Sequence, residues 1–227
     1  MNTMLVFLVL GVTIAAIAAI AYGFVQARKR TAALQAVAEE IGFTFEGDRT
    51  TPALAAQLKT ALFKRGSAGR PTNVMTGTAS GFKMSLFDYS YTISTGKSSN
   101  TITQTVATYS QDQSLPLFEM RPEGFFDRVG DLFVHKDIDF DSHPDFSRRY
   151  LLRGADEDKM RSLFTPALLT FLEGLLAAWH IEGAGPTLIL YRNGVTVGAD
   201  ELRSFLEGTS SIAKTFFRSA GLNTPAI

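Results

Sequence analysis

The chain has 227 residues and no cysteine, and its 22 Lys and Arg residues balance its 22 Asp and Glu residues. The lack of cysteine excludes disulfides, thiol nucleophiles, cysteine-ligated metals and lipid attachment through a cysteine. The balanced charge argues against a nucleic-acid-binding surface, which normally has a basic excess, and the 45% hydrophobic content argues against disorder.

The N-terminal segment contains an uncharged run of 22 residues, residues 4–25. At about 1.5 Å of rise per residue, a helix of this length measures roughly 33 Å and can cross the hydrocarbon core of a bilayer. A cleavable signal peptide normally has a basic segment ahead of a shorter apolar run, and no basic residue precedes this one. We therefore predict a retained transmembrane anchor over residues 1–27.

Basic residues flank this span on one side only. Arg28, Lys29 and Arg30 follow it directly, whereas residues 1–3 carry no positive side chain. By the positive-inside rule, the soluble part is predicted to be cytoplasmic and the N-terminus to lie outside. Tyr22 stands near the exit of the span, where aromatic rings favour the membrane interface. We expect these four residues to contact lipid headgroups.

Small residues recur at every fourth position of the span, at Gly11, Ala15, Ala19 and Gly23. Such residues let two helix backbones approach closely in lipid, where van der Waals packing drives association. The pattern predicts a helix-packing face for a second copy of the chain or for another membrane protein. The alternative is that an Ala-rich span produces this spacing by chance.

The soluble part begins with a predicted juxtamembrane helix over residues 28–42, which has apolar residues at helical spacing and ends at a glycine. A strand over residues 43–46 follows. Thr51 and Pro52 are a typical cap and first-turn pair for a short helix. Residues 64–71 have the composition of a loop.

The middle of the chain is rich in Thr, Tyr, Phe, Val and Ile, which favour strands. Residues 73–78 and 115–120 are predicted strands. Residues 82–93 and 101–109 are predicted to form an antiparallel hairpin around residues 94–100.

The final third alternates between predicted helices and strands. Its elements are a helix over residues 124–132, a strand over 146–153, helices after Asp156 and Thr165, strands over 179–182, 187–191 and 195–197, and a helix over 200–218. Asn193 and Gly194 form the strongest short turn signal. The pattern predicts one α+β domain over residues 43–227, with an antiparallel sheet and packed helices. A division near residue 142 is the alternative.

The most distinctive polar segment, residues 135–145, carries His and Asp on alternate positions. These are His135, Asp137, Asp139, Asp141, His143 and Asp145. In an extended chain they share one face, where carboxylates and imidazoles could bind a divalent cation. The segment departs from a calcium loop, because Ser142 replaces the required glycine and Arg148 the bidentate glutamate. The alternative is a solvated edge whose charges prevent strand pairing.

Other motifs give little support for catalysis. Thr95-Gly96-Lys97-Ser98 resembles the end of a phosphate-binding loop, but it lacks the first glycine and a strand follows it, so we interpret it as a hairpin tip. His180 lies in an apolar run and is predicted to be a partly buried structural residue. The sequence contains no nucleophile motif in a suitable context. We expect no cofactor and favour a non-catalytic protein.

Three long segments resemble a group of bacterial membrane-anchored proteins to which no activity is attached. They are LFDYSYTISTGKSSNTITQTVA (residues 86–107), RPEGFFDRVGDL (residues 121–132) and DIDFDSHPDFSRRYLLRG (residues 137–154). The resemblance covers most of residues 30–215. It implies a bacterial inner membrane, with the same order of anchor, basic exit and domain.

Three functions fit these observations. The first is a membrane-tethered binding or scaffold protein whose cytoplasmic domain engages a partner. The second is an accessory subunit of a larger respiratory, photosynthetic or transport complex. The third is a metal- or ligand-binding sensor or enzyme that uses residues 135–145. The expected partners are the lipid bilayer and other membrane-spanning chains or a second copy, and not nucleic acid.

Overall fold

The computed structural model describes residues 3–123 and 137–221. Its helices are α1 (Thr3–Glu40), α2 (Pro52–Gln57), α3 (Pro144–Arg149), α4 (Glu157–Leu163), α5 (Pro166–Glu173) and α6 (Leu202–Ser219). Its strands are β1 (Thr44–Gly47), β2 (Ser67–Ala79), β3 (Phe82–Ser94), β4 (Ser99–Pro122), β5 (Tyr150–Gly154) and β6 (His180–Tyr191). A short 3-10 helix (Leu62–Lys64) precedes β2. The α+β fold predicted from the sequence is confirmed.

Helix α1 joins residues 3–27 of the predicted span to residues 28–40 of the predicted juxtamembrane helix in 38 continuous residues. Among the described residues, it is the one helix that is long and apolar enough to cross a membrane, and its apolar part is not buried against the domain. The sequence has no proline or glycine between Phe24 and Glu40. The helix therefore has no sequence-encoded break between the span and the domain.

A single antiparallel sheet forms the centre of the domain. Its strand order is β1-β2-β3-β4-β5, and β6 also pairs with β4. Strand β4 is central, because β3 and β5 follow each other along one of its edges and β6 lies along the other. Strands from both sides of residue 142 therefore share one sheet.

Both faces of the sheet are covered. One face packs against the end of α1 and against α4, α5 and α6, and this is the larger hydrophobic core. The other face carries a smaller core beneath α2 and the 3-10 helix, which includes Leu54, Leu62, Tyr91, Val106 and Tyr191. Each face also carries one of the two polar clusters described below.

The short helices begin where the sequence places caps. The hydroxyl oxygens of Thr51 and Thr165 accept hydrogen bonds from the N–H groups of residues 54 and 168, and the carboxylate of Asp156 accepts one from residue 159. Helix α6 buries one apolar face, as predicted. That face comprises Leu202, Phe205, Ile212, Ala213, Phe216 and Phe217.

The predicted strand over residues 146–153 is wrong in its first half. Pro144 occupies the first turn of α3, and β5 begins only at Tyr150. The N–H of Phe146 donates to Glu173 Oε1 at 3.1 Å, so a distant carboxylate stabilises this helical turn. The helix predicted over residues 124–132 lies outside the described residues.

Several strands differ in length from their predictions. Strand β2 begins inside the predicted loop, and residues 115–120 belong to the continuous β4 rather than to a separate strand. Residues 180–191 form one strand with irregular pairing around Gly185, whose φ is 56°. Residues 195–197 form no strand. They bond individually to Thr105, which accepts from Val197 N and donates its own N–H to Val195 O.

Candidate functional site

The junction between the predicted span and the domain is held by a two-point ion pair. Arg30 lies five residues beyond Val25, the last residue of the 22-residue run that predicts the span. Its Nε donates to Asp88 Oδ2 at 2.9 Å and its Nη2 donates to Asp88 Oδ1 at 2.8 Å. This fork geometry fixes direction as well as distance. The ion pair therefore orients α1 on the sheet.

Further hydrogen bonds satisfy the buried carboxylate of Asp88, whose side chain is 5% exposed. Asn73 Nδ2 donates to Oδ2 and Thr105 Oγ1 donates to Oδ1, each at 2.9 Å. From α1, Thr31 Oγ1 donates to Asn73 Oδ1 at 2.8 Å. A buried carboxylate is stable only when donors of this kind replace water. The network thus ties one turn of α1 to β2, β3 and β4.

Apolar contacts attach the part of α1 that follows Thr31. Leu34 and Ala38 are 2% and 0% exposed and belong to the larger core. At the end of the helix, Glu40 pairs with Arg203 at the start of α6, with 2.6 Å between the charged atoms. The domain is therefore attached to the helix from Arg30 to Glu40.

Of the four residues predicted to contact the membrane interface, one contacts the domain and three are exposed. Arg30 contacts the domain through Asp88, and its side chain is 29% exposed. Arg28 and Lys29 are exposed, and Tyr22 is 66% exposed. These three remain available to lipid headgroups.

The predicted helix-packing face is open in the isolated chain. Gly11, Ala15, Ala19 and Gly23 are all exposed. A Cβ atom placed on either glycine meets no heavy atom within 4 Å. The face can therefore take the backbone of another helix, and its role in association stays a prediction.

A second polar cluster, on the opposite face of the sheet, was not predicted from the sequence. Arg65 Nη2 donates to Glu119 Oε1 at 2.6 Å, and these side chains are 5% and 8% exposed. Glu182 lies directly opposite Glu119 on the neighbouring strand. Both carboxylate oxygens of Glu182 accept from the N–H of Leu62 at 3.1 Å, and one accepts from Tyr191 Oη at 2.9 Å.

Burial determines the electrostatics of this cluster. It raises the pKa of Glu119, helped by the neighbouring charge of Glu182 and opposed by Arg65 and Arg121. His180 is buried too and stacks on Tyr191, with 4.8 Å between ring centroids. Burial, followed by the charges of the two arginines, lowers the pKa of His180 from 6.5 to about 3. His180 is therefore neutral at physiological pH.

This cluster joins the 3-10 segment to β4 and β6 and has the character of a structural network. The sequence pattern that places Glu119 on the face of this cluster is the alternation of Glu119 and Arg121 with the apolar Phe118 and Met120. Such alternation normally indicates a solvent-facing side of a strand. Here the 3-10 segment covers that side.

The acidic–His segment is residues 135–145, and its described part begins at Asp137. Several of its side chains bond to other parts of the domain. Asp137 Oδ1 accepts from Leu152 N at 2.7 Å, and burial raises the pKa of Asp137 despite this hydrogen bond. His143 Nδ1 lies 3.3 Å from Glu173 Oε2. Asp139 and Asp141 are exposed to solvent.

Asp145 forms a pair with Arg148 in the first turns of α3. Among the described residues, no three His, Asp or Glu side chains come together in a way that could hold a metal ion. His135 lies outside the described residues. The metal site over residues 135–145 therefore stays a prediction.

The sequence matches no protein-family model, and no curated protein is similar to it in sequence. Among solved structures, the chain is similar to the crystal structure of the mycobacterial trehalose monomycolate transport factor A, TtfA, with a TM-score of 0.60. The identity is 15%, and the match covers 88% of this chain and 99% of that chain. At this identity the likeness shows a common fold.

Proposed function

We propose that this protein is a non-catalytic accessory protein of a membrane transport assembly. Its span is retained in a bacterial inner membrane, its domain lies in the cytoplasm, and the span packs against another membrane-spanning chain. The domain presents a binding surface in a fixed position next to the bilayer.

The observation that carries this proposal is the junction between α1 and the sheet. A protein that only needs to be retained at a membrane can use a flexible linker, which allows its domain to move freely. Here the helix enters the core directly, and the Arg30–Asp88 pair fixes its direction. A fixed domain is useful where it must meet a partner that is also held in the membrane.

Two further observations support a membrane partner. The face formed by Gly11, Ala15, Ala19 and Gly23 is exposed along the span, and small residues favour close helix packing in lipid. The structural neighbour is described as a transport factor for trehalose monomycolate. This description supports a transport assembly as the setting, without indicating what is transported.

The test is association of the full chain in its native membrane. The protein is extracted in a mild detergent and sized by chromatography, and the proteins that migrate with it are identified by mass spectrometry. Defined transport proteins at a fixed ratio are the expected result. Ala15→Leu combined with Ala19→Leu should release them, because two added leucine side chains separate the helix backbones.

The matched control places the same bulk on the other side of the span. Thr13→Leu combined with Ala21→Leu adds two leucines about half a turn away from the small-residue face, and this variant should keep its partners. Equal loss in both double variants, or a lone monomer in the wild type, would contradict the proposal. A homodimer alone would replace the accessory function with self-association.

A further inference from the structure

The direction of β3 relative to α1 follows from two positions along the helix, one just after its end and one near the span. At the far end of α1, Ile41 lines a groove together with Ser80 from the β2–β3 turn. Nearer the span, Arg30 contacts Asp88, which lies further along β3. Strand β3 therefore runs back along α1, toward the membrane.

The hairpin of β3 and β4 extends further in this direction than the soluble part of the helix. From Arg30, five helical residues lead back to Val25, where the 22-residue apolar run ends, which is roughly 8 Å. From Asp88, six strand residues lead to Ser94, which is about 20 Å. The strand path therefore exceeds the helix path at any inclination up to about 60°, and on this ground we place the hairpin tip (residues 94–99) at the level of the headgroups.

The composition of the hairpin favours binding to a negatively charged surface. The sequence contains no Asp or Glu between Asp88 and Asp112, and Lys97 is exposed at the tip. The neighbouring residues are mostly Ser and Thr, whose hydroxyl groups can donate to phosphate oxygens. No carboxylate in this segment would oppose its approach to anionic lipid.

Other basic residues lie at the same end of the domain. Strand β2 begins beside the hairpin, because Ser67 pairs with Thr92, and the exposed Lys64 stands just before it. Arg28 and Lys29 are exposed on α1. Within the described residues, no ion pair neutralises Lys64 or Lys97.

We propose that the β3–β4 hairpin tip is a second membrane contact, in which Lys97 and the surrounding hydroxyl groups bind the headgroups of anionic phospholipids. The same bilayer that holds α1 is the occupant of this surface. With the span, the hairpin gives the domain two attachment points. The inference requires that α1 spans a bilayer. It does not require a protein partner or a particular side of the membrane.

The test uses the absence of cysteine, which makes any introduced thiol unique. A fluorophore is attached to Asn100→Cys, an exposed position beside the tip that carries no hydroxyl group, in the full chain, which is reconstituted into phosphatidylcholine vesicles with or without phosphatidylglycerol. A small share of the lipid carries a quencher on its headgroup. The matched control is a fluorophore at Ser211→Cys, an exposed position that lines the groove at the opposite end of the domain.

Quenching should be several-fold stronger at position 100 than at position 211, and phosphatidylglycerol should increase it. Lys97→Glu should weaken the tip's affinity for the anionic vesicles at least about fivefold, and high salt should have a similar effect. Equal quenching at both positions, or no dependence on the lipid charge, would overturn the inference. Flotation with the vesicles separates these outcomes from failed insertion, which would overturn the proposed function as well.

Discussion

Asp88 is the residue on which the attachment of α1 depends most directly. Asp88→Ala removes the acceptor shared by Arg30, Asn73 and Thr105. Breaking a buried ion pair costs roughly 3–5 kcal/mol, and the partial exposure of Arg30 reduces this value. We expect a loss of about 2–4 kcal/mol in the free energy of unfolding, measured by urea titration of the detergent-solubilised chain.

The control for this prediction is an exposed ion pair. Arg49 lies near Glu46 in the β1–α2 region, and its side chain is 77% exposed. Arg49→Ala should change the stability by less than about 1 kcal/mol, since water screens such a pair. Similar losses for Asp88→Ala and Arg49→Ala would show that the junction is not a special source of stability.

His180 makes the stability depend on pH in a direction that its burial determines. Its pKa falls from 6.5 in the unfolded chain to about 3 in the folded protein. Between these values the unfolded chain binds one more proton at this site, so the free energy of unfolding decreases as the pH falls. Glu119, whose pKa is raised, contributes with the opposite sign.

The variant His180→Phe isolates this contribution, because it keeps an aromatic ring against Tyr191 and every other titrating group. Its stability relative to the wild type should increase by about 1.4 kcal/mol for each pH unit below 6.5, until the window ends near pH 3. Unfolding titrations of both proteins across this window measure the difference. A difference that does not change with pH would refute the buried, neutral state of His180.

At the scale of single elements, alanine substitutions of two glycines should change the stability in opposite directions. A Cβ atom on Gly183 in β6 would lie 2.2 Å from Phe118 Cε1, and this ring is 1% exposed. Gly183→Ala should therefore cost about 1–3 kcal/mol through overpacking. Gly208 lies inside α6, and a Cβ atom added there would meet no heavy atom within 4 Å. Because alanine has a higher helix propensity than glycine, Gly208→Ala should stabilise the protein by about 1 kcal/mol. Thermal unfolding of both variants tests the pair. The same sign for both would contradict this assignment.

The elements that the sequence predicted well are those whose signal is local. Hydropathy alone identified the long apolar helix α1, the helical period identified α6, and strand-favouring residues identified the β3–β4 hairpin. The predictions failed where a distant group decides the local conformation. Residues 146–149 have strand-like composition, but Pro144 and the carboxylate of Glu173 favour a helical turn there.

The candidate site shows the same limit. The sequence alone could nominate Arg28, Lys29 and the small-residue face, because the rules for membrane spans use residues that are close in sequence, and their roles stay predictions. The partner of Arg30 was not predicted, since Asp88 is 58 positions away. The Arg65–Glu119 pair, 54 positions apart, was missed for the same reason. Local sequence patterns cannot predict contacts between residues that are far apart in sequence and meet only when the sheet has formed.

At the scale of the whole molecule, the uninterrupted helix and the Arg30–Asp88 pair predict that span and domain move as one body. Spin labels at Ala27→Cys and Ser211→Cys, both exposed positions, should give a single narrow distance distribution in lipid nanodiscs. Asp88→Ala should broaden it, because the helix then keeps only its contacts beyond Thr31. Asp48→Ala, which breaks the exposed pair with Arg70, should leave the width unchanged. A distribution that is already broad in the wild type would contradict a fixed domain. Equal widths in all three proteins would instead assign the rigidity to Leu34, Ala38 and the Glu40–Arg203 pair.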